Sequence, residues 1–491
     1  MIRGGLLGPV FSAFLSVVGI CSPSVTADAA SIEKITHIVV IYAENRSFDN
    51  LYGMFPGANG IAHALAYYLP QVDHDGSPFK VLPPVWANEQ DLKSRETDPT
   101  YPATLPNRPF RIDEPPANNS LDVKTHDLVH RFYQNKEQIN GGRNDRFVAM
   151  SNAGALVMGY YDGSRLPMWS IAREFTLADN FFMGAFGGSF LNHFWLVCAC
   201  TPEHRNAPGD MVTVEDGSGR LVRQKDSPKS AMEGPVLLKD GAVTPAGYAV
   251  NSMQPPYQPS GIAPAAGGDP ALADPDNHHR LPPQTLKTIG DTLSEKGVSW
   301  AWYAGAWNKA LADRSIIYNA QQANFQPHHQ PFNYFARFAP GNADRAIHLR
   351  DAEDFLADID NVTLPQVAFY KPNGKLNEHP GYTDVMSGDA HIAEVVARIR
   401  NNPKLWNQVA IIVTYDENGG FWDHVPPPVG DYWGPGSRVP AIIVSPFARK
   451  GAVDHTPYDT TSILKFITRR FALEALPGVR ANAGDMTNAF E

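Results

Sequence analysis

Cysteine is scarce: there are three in 491 residues, Cys21, Cys198 and Cys200. A disulfide-built scaffold is thereby excluded, and no further Cys or His stands at the spacing of a zinc finger. Cys198 and Cys200 lie in the apolar run Phe194–Cys200. Alternate residues of a strand point to opposite faces, so the two are expected as buried thiols rather than as a disulfide. Basic charge is also short, with 41 Lys and Arg against 51 Asp and Glu and a formal net charge of −10. Nucleic-acid backbones are bound by clustered cations, so that partner is disfavoured. Beyond the N-terminus no apolar stretch is long enough to span a bilayer, and no internal repeat is evident.

What is present begins with a leader. Arg3 supplies a positive start, Leu6 to Ile20 an apolar stretch, and Ala27-Asp28-Ala29 the small residues of a cleavage site. Residues 1–29 are expected to be a signal peptide, giving a periplasmic or secreted protein with no stable membrane anchor. Lipidation at Cys21 is disfavoured by the bulk of Ile20. A hydrophobic content of 43% and a charged content of 19% are those of a globular chain able to bury a large core.

Buried-strand patterns fall at Thr36–Ala43, Phe175–Leu177, Val298–Tyr303, Gln366–Tyr370, Val409–Tyr415 and Val439–Val444. Amphipathic segments lie between or after them at Leu286–Lys296, Asp389–Asn401 and Thr460–Phe471. This alternation predicts a layered α/β fold with a largely parallel sheet. Pro- and Gly-rich stretches near 57–120 and 203–283 interrupt it; they favour turns and extended backbone and are expected as insertions over an active-site rim.

Two strands end on carboxylates. Glu44 and Asn45 follow the first, and Asp416 and Glu417 follow Val409–Tyr415. Ligands of open α/β sheets bind beyond the carboxyl ends of strands, and an oxygen-rich donor set there suits a hard cation. Either pair alone reads equally well as a helix cap, but two matching ends favour the cation. Ser189 follows Gly187 and Gly188, which permit close backbone approach, and lacks the later Gly of a G-x-S-x-G elbow. A cation could activate its oxygen without a dedicated base.

His126 and His130 stand four apart, as on one helical face, without the H-E-x-x-H of zinc proteases. His328, His329 and His379 fall in polar, Pro-bounded loops. Asp423 and His424, just after the second carboxylate pair, suit either a second cation or, as the preferred reading, support for Asp416.

Together, the segments Ala43–Asp49 (A-E-N-R-S-F-D), His130–Gly142, Gly187–Asn192 (G-G-S-F-L-N), Asn377–Pro380 (N-E-H-P) and Tyr415–Pro427 (beginning Y-D-E-N-G-G-F-W-D-H) resemble the bacterial phosphoesterase family. That family contains exported acid phosphatases and phospholipases C of the alkaline phosphatase-like superfamily. The resemblance spans about residues 32–470. It implies a three-layer α/β fold, with residues 30–491 as a single catalytic domain.

By position, Glu44, Asn45, Asp416 and Glu417 match the family's metal ligands. Ser189 matches the residue that touches the metal and becomes phosphorylated. His130, His329 and His379 match groups that contact the phosphoryl or leaving group, with His126 and His328 as register alternatives. Asn192, Asp423 and His424 are secondary candidates. The resemblance implies one divalent ion, Mg, Ca, Mn, Zn or Fe, and a small phosphorylated substrate; it leaves the oligomeric state open. G-G-S-F-L-N stands where the phospholipase branch has G-P-T before P-N-R, and the twin-arginine leader and extra C-terminal domains of that branch are absent. An acid phosphatase, with a protonated His favouring mild acid, is therefore expected. A phospholipase C-type diesterase and a non-catalytic metal-binding protein are the alternatives.

Overall fold

The computed structural model describes residues 32–87 and 91–491, with Met1. The expected signal peptide lies outside them, but for Met1. The central sheet has eight strands: β1 His37–Ala43, β2 Thr176–Ala178, β3 Trp300–Ala304, β4 Leu349–Asp351, β5 Val367–Lys371, β6 Val409–Tyr415, β7 Ala441–Val444 and β8 Ala452–Asp454. Their spatial order is β8-β2-β7-β6-β1-β5-β3-β4. Only β7 runs against the rest of this sheet. Continuous Val and Ile in β1 and β6 are the composition of strands covered on both faces, and both strands are buried almost throughout.

The helices used below are α1 Phe48–Tyr52, α2 Phe132–Ile139, α3 Pro167–Glu174, α4 Ser189–Cys198, α5 Ile289–Glu295, α6 Ala352–Asn361, α7 Val385–Arg400 and α8 Thr460–Phe471. Six of them form two packed sets, α3 and α6 against α7, and α5 and α8 against α4, in keeping with a layered α/β arrangement. Asp at the N-caps of α6, α7 and α8 accepts first-turn amides and fixes where each helix starts.

β1 and β6 pair in parallel over their whole length, from His37 opposite Val409 to Ala43 opposite Tyr415. Glu44 and Asp416 therefore leave the sheet side by side. Among the described residues, the Pro- and Gly-rich stretches contain short paired segments such as Val81–Leu82 with Leu105–Pro106, isolated bridges and 3-10 turns. The first also holds one short helix, Ile61–Tyr67.

Two local expectations fail. His126 and His130 lie on irregular backbone before α2, not on a helix. Cys198 and Cys200 form a disulfide. Their run is helical, not a strand, and Ala199 turns into the left-handed region (φ 46°) at the end of α4, which brings the two sulfur atoms to the same side.

Candidate active site

Beyond the ends of β1 and β6, Glu44, Asn45, Asp416 and Glu417 are all buried. Asn45 has φ 63°, a region Asn tolerates better than most side chains, and its N–H donates to Asp416 Oδ1 at 3.1 Å. Asp416 Oδ1 also accepts the amide of Glu417 at 2.8 Å. Glu44 accepts from His329 Nε2 at 2.6 Å and from the side-chain amide of Asn377. Glu417 Oε2 accepts the amide of Gly419, whereas its buried Oε1 has no hydrogen-bond partner among the described residues. Burial pushes the Asp416 carboxyl up to about 6 and that of Glu417 well above the usual range. Three buried carboxylates at neighbouring strand ends, one with an orphaned oxygen, beside the Asn45 amide oxygen have the donor chemistry that fits a hard divalent cation; Glu44 with His328 and His329, and Asp127 with His130 and His379, also stand close enough to share an ion.

Ser189 opens α4, and its Oγ donates to Asn45 Oδ1 at 3.2 Å. The preceding glycines have a steric reason. A Cβ on Gly188 would stand 2.6 Å from the His130 carbonyl oxygen, and Gly187 (φ 93°) lies as close to the backbone of Phe132. The His130 segment thus crosses directly over the serine turn. Asn192 stands outside the donor cluster; its side chain accepts from Ala185 N–H at 2.9 Å and donates to the carbonyls of Ala185 and Gly188, both at 3.2 Å, holding that turn.

A cavity of about 670 Å³ opens over Ser189, lined by His130, His328, His379, Asp127, Tyr382 and apolar groups including Phe190 and Leu238. His130 Nδ1 is hydrogen-bonded to Leu128 O at 2.5 Å and His379 Nδ1 to Pro380 O, so the N–H of each neutral ring sits on Nδ1 and Nε2 keeps its lone pair. Burial lowers the pKa of both, His379 to about 3. His328 lines the cavity wall, while His329 is turned beneath Glu44. His126 instead meets Asp98 at 2.7 Å and is not part of the wall.

Asp423 and His424 stand with Asp49 close enough together to hold a metal ion, and the described contacts tie this group to Arg438 rather than to Asp416. Arg438 occupies their centre, its Nε 3.0 Å from Asp423 and its NH2 group 3.0 Å from Asp49, while His424 Nδ1 meets Asp49 at 2.6 Å. Asp49 and Arg438 were not singled out by the sequence. Nor was Lys371, whose Nζ donates to Asp416 Oδ2 at 3.2 Å.

A model of the phosphoesterase family matches residues 35–474. Phospholipase C B of Mycobacterium tuberculosis is 27% identical over 94% of this chain and 78% of its own length. The non-hemolytic phospholipase C of Burkholderia pseudomallei is likewise 27% identical over 94% of this chain, which spans 59% of that relative. A solved structure of an alkaline phosphatase superfamily protein from Vibrio parahaemolyticus overlaps 77% of this chain and 75% of its own, at 11% identity and a TM-score of 0.31.

Proposed function

Because the chain belongs to the phosphoesterase family and is a hydrolase acting on phosphoric ester bonds, we propose that it is an exported phosphatase that cleaves phosphomonoesters through a phosphoserine at Ser189. The reading is carried by the contact of Ser189 Oγ with Asn45 Oδ1, on the floor of the cavity and beside three carboxylates. Glu44, Asn45, Asp416 and Glu417 would hold one divalent cation. When bound, it supplies the positive charge that lowers the hydroxyl pKa and offsets the phosphoryl oxygens.

Ser189 Oγ attacks phosphorus in line with the leaving oxygen; the O–P bond forms as the ester P–O bond breaks. The hydroxyl proton passes to a cavity-facing imidazole Nε2 of His130 or His379 and from there to the departing alkoxide. Water then attacks phosphorus, releases Ser189 and leaves inorganic phosphate. Burial lowers both rings below the ordinary His range, His379 to about 3, so His379 stays neutral and able to accept a proton in mild acid. The G-G-S-F-L-N segment supports the monoester branch.

A phospholipase C-type diesterase is the second reading. The relatives named phospholipase C and the apolar part of the cavity wall favour it. Turnover of p-nitrophenyl phosphate beside p-nitrophenyl phosphorylcholine decides between them. The monoester is expected to be preferred, and Ser189→Ala is expected to lose at least about a thousand-fold in kcat. A preference for the diester moves the protein to the second reading, and full turnover by the Ala variant removes the nucleophile.

A further inference from the structure

We infer that Glu378 is a positioning residue: it pins the loop after β5 to the loop after β1 and to the end of β6, and so holds His379 over Ser189. The inference rests on the phosphatase reading above and names the side chain that keeps one of its proton carriers in place.

Glu378 lies between Asn377 and His379 and is buried. Its φ is 76°, in the left-handed region that a Glu side chain rarely adopts and that Gly or Asn ordinarily fills. A buried carboxyl on strained backbone persists only where its surroundings over-determine it. The surrounding contacts do so here. Arg46, the residue after Asn45, donates to the Glu378 carbonyl from Nε at 3.2 Å and from its NH2 group at 2.9 Å. Tyr415, which ends β6, donates its hydroxyl to Glu378 Oε2 at 2.8 Å, and Oε1 has no hydrogen-bond partner among the described residues. Near the start of α7, a Cβ on Gly388 would stand 2.5 Å from Glu378 Cγ and 2.7 Å from its nitrogen, so the helix closes on this residue from behind.

The neighbours on either side show what the turn achieves. The Asn377 carbonyl accepts the amide of Glu44 at 2.9 Å, and its side-chain amide donates to the Glu44 carboxylate. The amide of His379 donates to Asn377 Oδ1 at 3.1 Å, while its ring lines the cavity and stacks on Tyr382 with centroids 3.9 Å apart. The left-handed turn at Glu378 thus leaves one neighbour on the floor and the next on the cavity wall. A space-filling role fits less well. Leu would fill the volume without burying a carboxyl, and Gly would adopt the turn without strain, but neither could accept the Tyr415 hydroxyl. Glu378 is not part of the cavity wall and acts through His379.

The test uses the leaving group. Phenolate is a poorer leaving group than p-nitrophenolate and depends more on a proton delivered as the P–O bond breaks, so a displaced His379 slows phenyl phosphate more than p-nitrophenyl phosphate. A smaller folded fraction lowers both alike and leaves the ratio of the two kcat/KM values unchanged. In Glu378→Ala the ratio of phenyl to p-nitrophenyl phosphate should fall at least about ten-fold, and in Tyr415→Phe at least about three-fold. In Glu378→Gln, which keeps the shape and an oxygen for Tyr415, it should stay within about two-fold of wild type. His379→Ala is the comparator and should fall at least as far as Glu378→Ala. A folded Glu378→Ala protein whose ratio stays within about two-fold of wild type overturns the inference, and so does a Gln variant impaired as much as the Ala variant. If the Ala variant does not fold, an unchanged ratio in Tyr415→Phe overturns it. A wild type that cleaves neither monoester overturns the phosphatase reading itself, a distinguishable failure.

Discussion

At Gly188 a methyl group would stand 2.6 Å from the His130 carbonyl oxygen, a backbone atom that cannot swing aside. Gly188→Ala must therefore push the His130 segment away from the turn that carries Ser189. Displacements of about 1 Å at a reacting group cost on the order of a hundred-fold in rate. We expect Gly188→Ala to lose about that much in kcat and about 1–3 kcal/mol in stability, measured by steady-state kinetics and urea unfolding. At this scale the sequence was legible where a residue type is scarce in its context: a carboxylate closing a run of Val and Ile, or a serine after paired glycines. Lys371 was not legible, because a Lys after a strand is ordinarily a solvent-facing residue. Only the pairing of β5 with β1 turns it inward. His328 and His329 could not be separated by sequence, since one turn decides which faces the cavity.

α4 links two features of opposite legibility. Its first residue is Ser189, and its last, Cys198, is bonded to Cys200 across the left-handed Ala199. The run from Phe194 is apolar enough to pass for a buried strand, and in that geometry the sulfur atoms would diverge; helix and αL turn reverse the result. A loop this short removes little chain entropy, so replacing both cysteines by Ser should lower stability by about 1.5 kcal/mol or less. Turnover should stay near wild type, because the pair sits at the far end of the helix from Ser189. Thermal melting and kcat check both. Six of the eight sheet strands were readable from their apolar composition, the short edge strands β4 and β8 were not, and α8 fell where its amphipathic period put it, over Thr460–Phe471. His126 and His130 share a helical spacing without a helix, since four-residue spacing constrains a face only once a helix exists.

Across the whole molecule, Arg438 ties the loop after β1 to the loop after β6 through Asp49 and Asp423, with His424 closing on Asp49. His424 is raised above its ordinary 6.5; burial opposes this, but Asp49, by charge and hydrogen bond, prevails, with Asp423 adding to it and Arg438 opposing. Asp49 is lowered below its ordinary 3.8, with burial opposing and His424 and Arg438 prevailing. A raised His stabilises the fold fully below its unfolded value and loses that contribution as pH rises through the folded value; the depressed Asp loses its contribution as pH falls through its own. The pair is therefore worth most between about pH 4 and pH 6.5. The stability gap between wild type and His424→Gln should be largest in that window, about 1–2 kcal/mol, and shrink above it, as read by urea unfolding against pH. Asp49, Asp423 and His424 lie inside the quoted motifs, but Arg438 does not, and the clamp draws on three separate segments of chain, so it does not show as a unit.

The in-register pairing of β1 with β6 has a consequence in time. Asn45 and Asp416, hydrogen-bonded in the folded protein, are separated by 371 positions. A growing chain, or one threading through a translocation pore, holds Glu44 and Asn45 long before Asp416 and Glu417 arrive to complete the floor. Until β6 is delivered, no partial product owns the assembled donor set. On the proposed assignment, a cation could be held and an ester cleaved only once both strand ends are in place, late in the life of the nascent polypeptide.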